Sequence, residues 1–268
     1  MHVGATLRML RIDAGLSLRS LAAELGVSTA YLSRVENGHD APPSPDRLVA
    51  IAAALGVAPT LLLDLTHRLD PFVSRYLERV PAASQLFVEI ARRDLTPAEL
   101  ARVHAFIDET FPTRTLTRPR GVPRLASLID PSRVVMGLHC RELDDAIDVA
   151  ASRLAVDGWD AAQVAAALRE RERLAPSFIG AGVIVPHATG PSTRRIALVS
   201  LARPLAIDTP DGRPIGLVFA IFGGPPALEL LARVAALCTE DRVEELRGAE
   251  SPEAMVQRLE RLETYVGG

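Results

Sequence analysis

The chain has 268 residues, of which 48% are hydrophobic, and its formal net charge is −3. This length can bury one large core or two ordinary ones, and it favours two domains. Because there is no apolar run of about eighteen residues and no signal-peptide profile at the N-terminus, we expect a cytoplasmic protein with no membrane partner.

The composition also bears on bound groups. The two cysteines, Cys140 and Cys238, fit no metal-ligand spacing, and we expect both to be core residues. An aromatic share of 4% argues against a stacking platform for single-stranded nucleic acid. We predict neither a bound metal nor a cofactor.

Residues 1–66 form a block of short predicted helices. Apolar residues recur at helical spacing in 5–14, and Gly15 is a natural stop. Ser17 and Ser28 are placed to cap the second and third helices, whose short connection is typical of a helix-turn-helix. Two more helices are predicted, at residues 46–55 and 59–65.

The motifs of this block resemble the Cro/repressor-type (XRE) helix-turn-helix family over about 60 residues. They are Leu10-Arg11, Ala14-Gly15-Leu16-Ser17, Leu21-Ala22, Leu25-Gly26-Val27-Ser28, Tyr31-Leu32-Ser33, Glu36-Asn37-Gly38 and Ile51-Ala52-Ala53-Ala54-Leu55-Gly56-Val57. The resemblance implies that the third helix enters the major groove of double-stranded operator DNA. The candidate DNA-binding residues are Arg19, Ser28, Thr29, Ala30, Ser33, Arg34 and Asn37.

The net charge of this block bears on the expected DNA binding. The first 65 residues hold five arginines and six acidic side chains, a net charge near −1, whereas counterion release from phosphates usually drives DNA binding. We therefore expect weak binding by a monomer and dependence on a homodimer. Arg34 could reach a guanine edge or a phosphate, and Arg19 a phosphate. The alternative is a helix-turn-helix reused for protein contacts.

Residues 67–111 are predicted to form a helical extension. Its strongest helix start is Thr96-Pro97-Ala98-Glu99, which has a cap, an N1 proline and an early acid. One face of this helix is apolar; its residues are Leu95, Leu100, Val103, Ile107 and Phe111. This face could form a dimer surface or pack within the chain.

Residues 112–124 mark a predicted boundary. This segment has three prolines, one glycine and four arginines but no acid, which indicates an extended basic linker. It could lie along DNA phosphates or remain a solvated connection.

Residues 125–268 are predicted to form an α/β layered sandwich, which makes the protein multidomain, with an all-α N-terminal domain. Strands at 195–201 and 215–222 alternate with helices, and the second strand is apolar throughout. In residues 171–187, a β-branched run at 183–185 follows Gly180 and Gly182 and predicts a buried strand. We expect the chain to leave the sheet at Pro186 and to present His187 at the strand edge.

The segment ending at His187 resembles the active site of enzyme IIA of the sugar phosphotransferase system, of the fructose/mannitol and nitrogen-regulatory type. The matching residues are Arg171, Glu172, Gly180, Gly182, Pro186 and His187, with Ser177 where the family usually has threonine. The resemblance spans nearly all of 125–265. It implies that His187 accepts a phosphoryl group from a histidine phosphocarrier protein, stabilised by Arg171 and Ser177. The alternative is a structural histidine.

One position departs from this pattern. Ala227 stands where the family has a second histidine, and a methyl group donates no hydrogen bond to phosphate. His139 could substitute for it.

Three functions remain open. The combination favours a transcription regulator whose DNA binding is modulated through the enzyme IIA-like domain, by phosphorylation of His187 or by a ligand or partner. The alternatives are a phosphocarrier enzyme of the phosphotransferase system and a module that senses a small anion.

Overall fold

The computed structural model describes residues 3–66, 71–111, 124–191, 194–225 and 227–263. The chain divides into two compact units, Met1–Arg68 with Pro123–Gly268, and Leu69–Val122. The boundaries predicted at 66, 111 and 124 stay predictions, and 112–123 of the basic segment lie outside the described residues.

The N-terminal part of the first unit is helical. Its helices are α1 (Val3–Asp13), α2 (Leu18–Glu24), α3 (Thr29–Glu36), α4 (Pro45–Leu55) and α5 (Pro59–Asp64). The predicted caps are confirmed, because the hydroxyl of Ser17 accepts the amide hydrogen of Ser20 and that of Ser28 accepts the amide hydrogen of Tyr31. Gly15 has the positive φ expected of a helix stop.

A buried ion pair joins α1 to α3. Arg11 donates from Nε and Nη2 to the Glu36 carboxylate at 2.6 and 2.8 Å, and from Nη1 to the Leu16 carbonyl at 2.9 Å. The helices approach closely where Gly4 meets the end of α3, since a Cβ there would lie 2.1 Å from the Val35 carbonyl oxygen. This packing fixes how α3 is presented.

The second unit is described by itself. It contains α6 (Pro71–Arg79), α7 (Pro81–Arg92) and α8 (Pro97–Thr110). The predicted start of α8 is confirmed, because Thr96 and Glu99 form a reciprocal capping box. Of the predicted apolar face, Leu100, Ile107 and Phe111 are exposed.

The C-terminal part of the first unit is built on a mixed sheet. Its strands are β1 (Val134–Leu138), β2 (Phe178–Gly180), β3 (Val183–Ile184), β4 (His187–Ala188), β5 (Arg195–Leu205) and β6 (Ile215–Phe222). The order is β1-β5-β6-β3-β2, and β4 also pairs with β6. Every residue of β6 is buried, as its continuous apolar sequence predicts.

Helices cover this sheet on both faces. They are α9 (Leu125–Leu128), α10 (Leu143–Leu154), α11 (Ala161–Leu174), α12 (Leu228–Leu237), α13 (Glu240–Arg247) and α14 (Pro252–Glu263). The apolar sides of α10 and α11 share one core with β5 and β6, whereas α13 contacts β6 and α14 contacts β1. The predicted combination of an all-α N-terminal part and a layered α/β C-terminal part is confirmed. None of the described helices is long and apolar enough to cross a bilayer.

The expectation that the chain leaves the sheet at Pro186 is wrong. β3 and β4 pair with β6 in one continuous parallel register, Val183 with Leu217 and His187 with Ile221. Pro186 has no amide hydrogen, but its carbonyl accepts the amide of Ile221 at 2.9 Å, so the strand is interrupted without leaving its neighbour. His187 is therefore held in the sheet by its pairing with β6, a central strand.

We expect Glu36→Ala to lower the free energy of unfolding by roughly 3–5 kcal/mol, because Arg11 would be left buried without its counter-ion. Urea denaturation followed by circular dichroism measures this change. In the control Glu170→Ala, the lost pair with Arg173 is exposed, and the expected change is below about 1 kcal/mol. Equal effects of the two substitutions would contradict a structural role for the buried pair.

Candidate functional site

The site is organised by the orientation of the His187 ring. Nδ1 lies 2.7 Å from the Val185 carbonyl oxygen. A carbonyl can only accept, so this contact places a proton on Nδ1 and leaves Nε2 as the atom free for chemistry. The hydrogen bond spans only two residues, and the interruption of the strand at Pro186 makes it possible.

An aspartate from the helix-turn-helix region faces this ring. Asp13, the last residue of α1, brings Oδ2 to 2.9 Å from His187 Nε2. Nε2 is buried and makes no aligned hydrogen bond, so this pairing is a close contact between the ring and the carboxylate. The pairing is attractive when Nε2 carries a proton, because a bare lone pair would face a negative oxygen.

Arg171 binds the same carboxylate from the other side. Its Nε and Nη2 donate to Asp13 Oδ1 and Oδ2 at 2.7 and 2.8 Å, and Nη1 donates to the Ala175 carbonyl at 2.9 Å. The three side chains of this cluster, Asp13, Arg171 and His187, are 9, 11 and 12% exposed. Arg171 thus lies in the site and contacts His187 through Asp13, and its role toward a phosphoryl group stays a prediction.

The charge of Asp13 follows from these neighbours. Burial raises the pKa of its carboxyl, but the contacts with His187 and Arg171 lower it by more, and the net pKa lies below the ordinary value. Asp13 is therefore ionised near neutral pH. The cluster holds one negative and one permanent positive charge beside the imidazole.

Ser177 contacts Glu172, whereas a contact with a phosphoryl group was expected. It is fully buried, and its amide and hydroxyl donate to the Glu172 carboxylate at 2.9 and 2.6 Å. Burial raises the pKa of Glu172 more than these hydrogen bonds lower it. The expectation that Ser177 offers a donor to a phosphoryl group is not met in this arrangement, since its hydroxyl fixes the turn between α11 and β2.

The glycine turn before β3 approaches backbone and not a ligand. Gly182 has a φ of +70°, and a Cβ there would lie 2.6 Å from the Pro214 carbonyl oxygen. The amide of Ala181 donates to Asp211 at 2.8 Å. Gly190 lies closer to the site, where a Cβ would overlap the Phe222 ring.

A cavity of about 380 Å³ opens beside His187. Its polar wall contains Asp13, Glu170, Arg171, Thr189 and Arg194, and the remaining wall is mainly apolar. The other apolar or small residues along it include Trp159, Ala167, Leu174, Ala188, Ile221, Ala227 and Leu231.

Ala227 lies in the cavity wall, so its methyl group leaves that wall without the donor that a second histidine would supply. His139, the proposed substitute, is exposed and is not among the lining residues. Arg194 is in the wall, and its Nη2 donates to the Pro225 carbonyl at 2.8 Å. The structure thus offers Arg194, and not His139, as the nearby group that can meet negative charge.

The predicted DNA-reading residues lie on the outside of the helical block. Arg19 on α2 is exposed, Ser33 on α3 is half-buried, and the others on or flanking α3 are exposed, namely Ser28, Thr29, Ala30, Arg34 and Asn37. Arg34 donates from Nε and Nη2 to Asp40 at 2.9 and 2.7 Å. Asn37 donates to the Ser33 carbonyl at 2.8 Å. Contact with a base edge would have to replace these two local interactions.

Sequence reasoning missed Asp13, Trp159 and Arg194 as residues of the His187 site. Asp13 is 158 residues from Arg171, and no spacing motif joins them. Trp159 and Arg194 follow from the fold only, since a helix-flanking loop and the start of β5 bring them to one cavity.

The matches with known proteins fall on both parts of the chain. Residues 2–65 match the model of a helix-turn-helix domain. Residues 127–262 match the model described as phosphoenolpyruvate-dependent sugar phosphotransferase system, EIIA 2.

Relatives align with the C-terminal half. A nitrogen regulatory protein of Bradyrhizobium diazoefficiens is 28% identical over 143 residues, which cover 50% of this chain and 94% of that protein. A mannitol-specific phosphotransferase enzyme IIA component of Staphylococcus aureus is 25% identical over 51% of this chain and 97% of its own length. The crystal structure of the nitrogen regulatory protein IIA-Ntr from Neisseria meningitidis is 24% identical, with a TM-score of 0.47, and covers 50% of this chain and 98% of that one.

These matches agree with the two parts seen in the fold. A helix-turn-helix domain is fused to an enzyme IIA-like domain, and the second match spans half of the chain. The chain belongs to the EIIA 2 family of the phosphoenolpyruvate-dependent sugar phosphotransferase system.

Proposed function

We propose that this protein is a cytoplasmic, sequence-specific transcription regulator of the Cro/repressor type, whose DNA binding is modulated by phosphorylation of His187. The observation that carries the proposal is the presence, within one compact unit, of an exposed α3 and of a histidine whose Nε2 makes no hydrogen bond to the backbone. A protein that acts only as a phosphocarrier would not need an exposed α3.

The DNA-binding role rests on α3. Ser28 and Thr29 present two hydroxyls to solvent at the start of the helix, and Arg34 presents a guanidinium in its last turn, on a surface that could meet a major groove. The buried pair of Arg11 and Glu36 holds this helix on α1. Because the domain has no excess positive charge, two copies are needed to give a useful affinity.

The exposed apolar side chains of the second unit supply a candidate surface for a homodimer. They are Tyr76, Leu86, Phe87, Val88, Leu100, Phe106, Ile107 and Phe111. Exposed apolar patches of this kind are typical of association sites. A two-fold dimer would place two helix-turn-helix domains on a palindromic operator.

The phosphorylation role rests on the tautomer of His187. With Nδ1 donating to Val185, the lone pair of Nε2 attacks phosphorus in a phosphohistidine of the donor protein. The new Nε2–P bond forms as the donor's N–P bond breaks, and that electron pair returns to the donor ring. Arg171 and Arg194 are the cationic groups available to the phosphoryl oxygens.

The first test is DNA binding by the full chain. We expect in vitro selection to return a palindromic site, and Arg34→Ala to weaken binding to it by about 1–3 kcal/mol, because one base-edge or phosphate contact is lost. Fluorescence polarisation at several salt concentrations measures the loss. Arg153→Ala, an exposed arginine of α10, is the control and should bind as the wild type does. Selection that yields only non-specific binding at physiological salt would refute the DNA-binding role.

The second test is phosphoryl transfer from a phosphorylated histidine phosphocarrier protein. We expect acid-labile label on the wild type in about a one-to-one ratio and none on His187→Ala, because Nε2 is the only nucleophile proposed. His139→Ala, which removes an exposed histidine, should retain full label. Label that remains on His187→Ala would contradict the assignment. Label that passes on to a sugar permease component would favour the alternative, a phosphocarrier enzyme.

A further inference from the structure

The contact between Asp13 and His187 joins two domains that match different family models. Asp13 ends α1 of the helix-turn-helix domain, and His187 lies in the central sheet of the enzyme IIA-like domain. The carboxylate is 2.9 Å from Nε2 and is bound by Arg171 through two hydrogen bonds. The atom proposed to accept the phosphoryl group and the Arg171 guanidinium are therefore both occupied by a residue of the other domain.

The local structure around position 13 does not favour a negatively charged side chain. It stands at the carboxyl end of α1, where the helix dipole disfavours negative charge. Its side chain is 9% exposed, so an unpaired carboxylate there would be strongly destabilising. The compensation comes from Arg171 and His187, which indicates that the contact is a built part of the interface between the domains.

A carboxylate and a phosphoryl group compete for the same partners at this position. A phosphorus bonded to Nε2 would be closer to the ring than Asp13 Oδ2 is, and its oxygens would need the space and the Arg171 fork that the carboxylate fills. Both groups are negative, so in a site this buried they would also repel each other.

We propose that Asp13 is an intramolecular occupant of the phosphoryl site, so that docking of the helix-turn-helix domain and phosphorylation of His187 exclude each other. This inference rests on the proposed function of His187. It adds that Asp13 of the same chain fills the site when His187 is not phosphorylated. The domain that is released is the one that carries α3.

The docking surface extends beyond this contact. α1 packs on β2 and α12, and α5 packs on α12, next to the cluster. Phosphorylation requires Asp13 to withdraw first, so that the lone pair of Nε2 can reach the phosphorus of the donor. The Nε2–P bond then forms as the donor's N–P bond breaks, and the added charge prevents Asp13 from returning.

The first experiment measures initial rates of phosphorylation of the full chain by a phosphorylated histidine phosphocarrier protein. Asp13→Ala should raise the rate on the order of tenfold or more, because the carboxylate that blocks Nε2 in most wild-type molecules is gone. Glu24→Ala removes an exposed acid from the same domain and should leave the rate unchanged. A rate for Asp13→Ala equal to that of the wild type would overturn the proposal.

The second experiment needs no phosphoryl donor. His187→Glu places a carboxylate against Asp13, and we expect faster hydrogen exchange in peptides from α1, β2 and α12, whereas the neutral His187→Gln should keep most of the protection. Trp159, the single tryptophan, lines the same cavity and should change its fluorescence in His187→Glu and in Asp13→Ala. Unchanged exchange and fluorescence in both variants would also overturn the proposal.

The two experiments separate this inference from the proposed function. If no variant accepts label, phosphorylation of His187 fails, and hydrogen exchange still decides whether Asp13 holds the domains together. If the wild type is labelled but Asp13→Ala changes neither rate nor exchange, His187 is a phosphoryl acceptor and Asp13 is not its competitor.

Discussion

The hydrogen bond from His187 Nδ1 to the Val185 carbonyl determines the rest of the site. It fixes the ring orientation and the tautomer, so Nε2 is the nitrogen that faces the cavity. Because Nδ1 is hydrogen-bonded to the backbone, Nε2 is the nitrogen that other groups can contact. In this structure that group is Asp13, and in the proposed reaction it is a phosphoryl group. The contact in turn requires the interruption at Pro186 between two strand segments that keep one register with β6.

Electrostatics then distinguish this site from a simple phosphohistidine pocket. Ala227 leaves an apolar wall where a second imidazole would stand, and the positive charge comes from Arg171 and Arg194 instead. Burial lowers the pKa of Arg194, although the guanidinium remains charged at any physiological pH. Two arginines and one histidine can hold an anion without the missing donor, and the Asp13 carboxylate is the anion present.

The sequence predicted the parts of this protein that depend on local rules. The caps at Ser17 and Ser28, the box formed by Thr96 and Glu99, and the buried apolar strand β6 all follow from spacing and residue type, and the structure has each of them. The behaviour at Pro186 was predicted wrongly, because a missing amide hydrogen says nothing about whether the carbonyl still accepts from the neighbouring strand.

The site was predictable only where its residues are neighbours in the chain. Arg171 and His187 belong to one segment of the chain. Ser177 belongs to it too, but its hydroxyl donates to the buried carboxylate of Glu172, five residues away, which competes with any other acceptor. Asp13 carries no sequence signal, because its partners come from tertiary packing between two domains. An acid at a helix C-terminus is a weak local anomaly, and here it marks a residue whose stabilising contacts lie elsewhere.

Coupling between the two domains needs no long pathway. The phosphoryl-accepting nitrogen and the last residue of α1 are in direct contact, and α1 is joined to α3 by the buried pair of Arg11 and Glu36. Two contacts, joined by α1, therefore connect His187 to the helix proposed to read DNA. Because binding couplings are reciprocal, whatever stabilises the helix-turn-helix domain away from the sheet also favours an open His187.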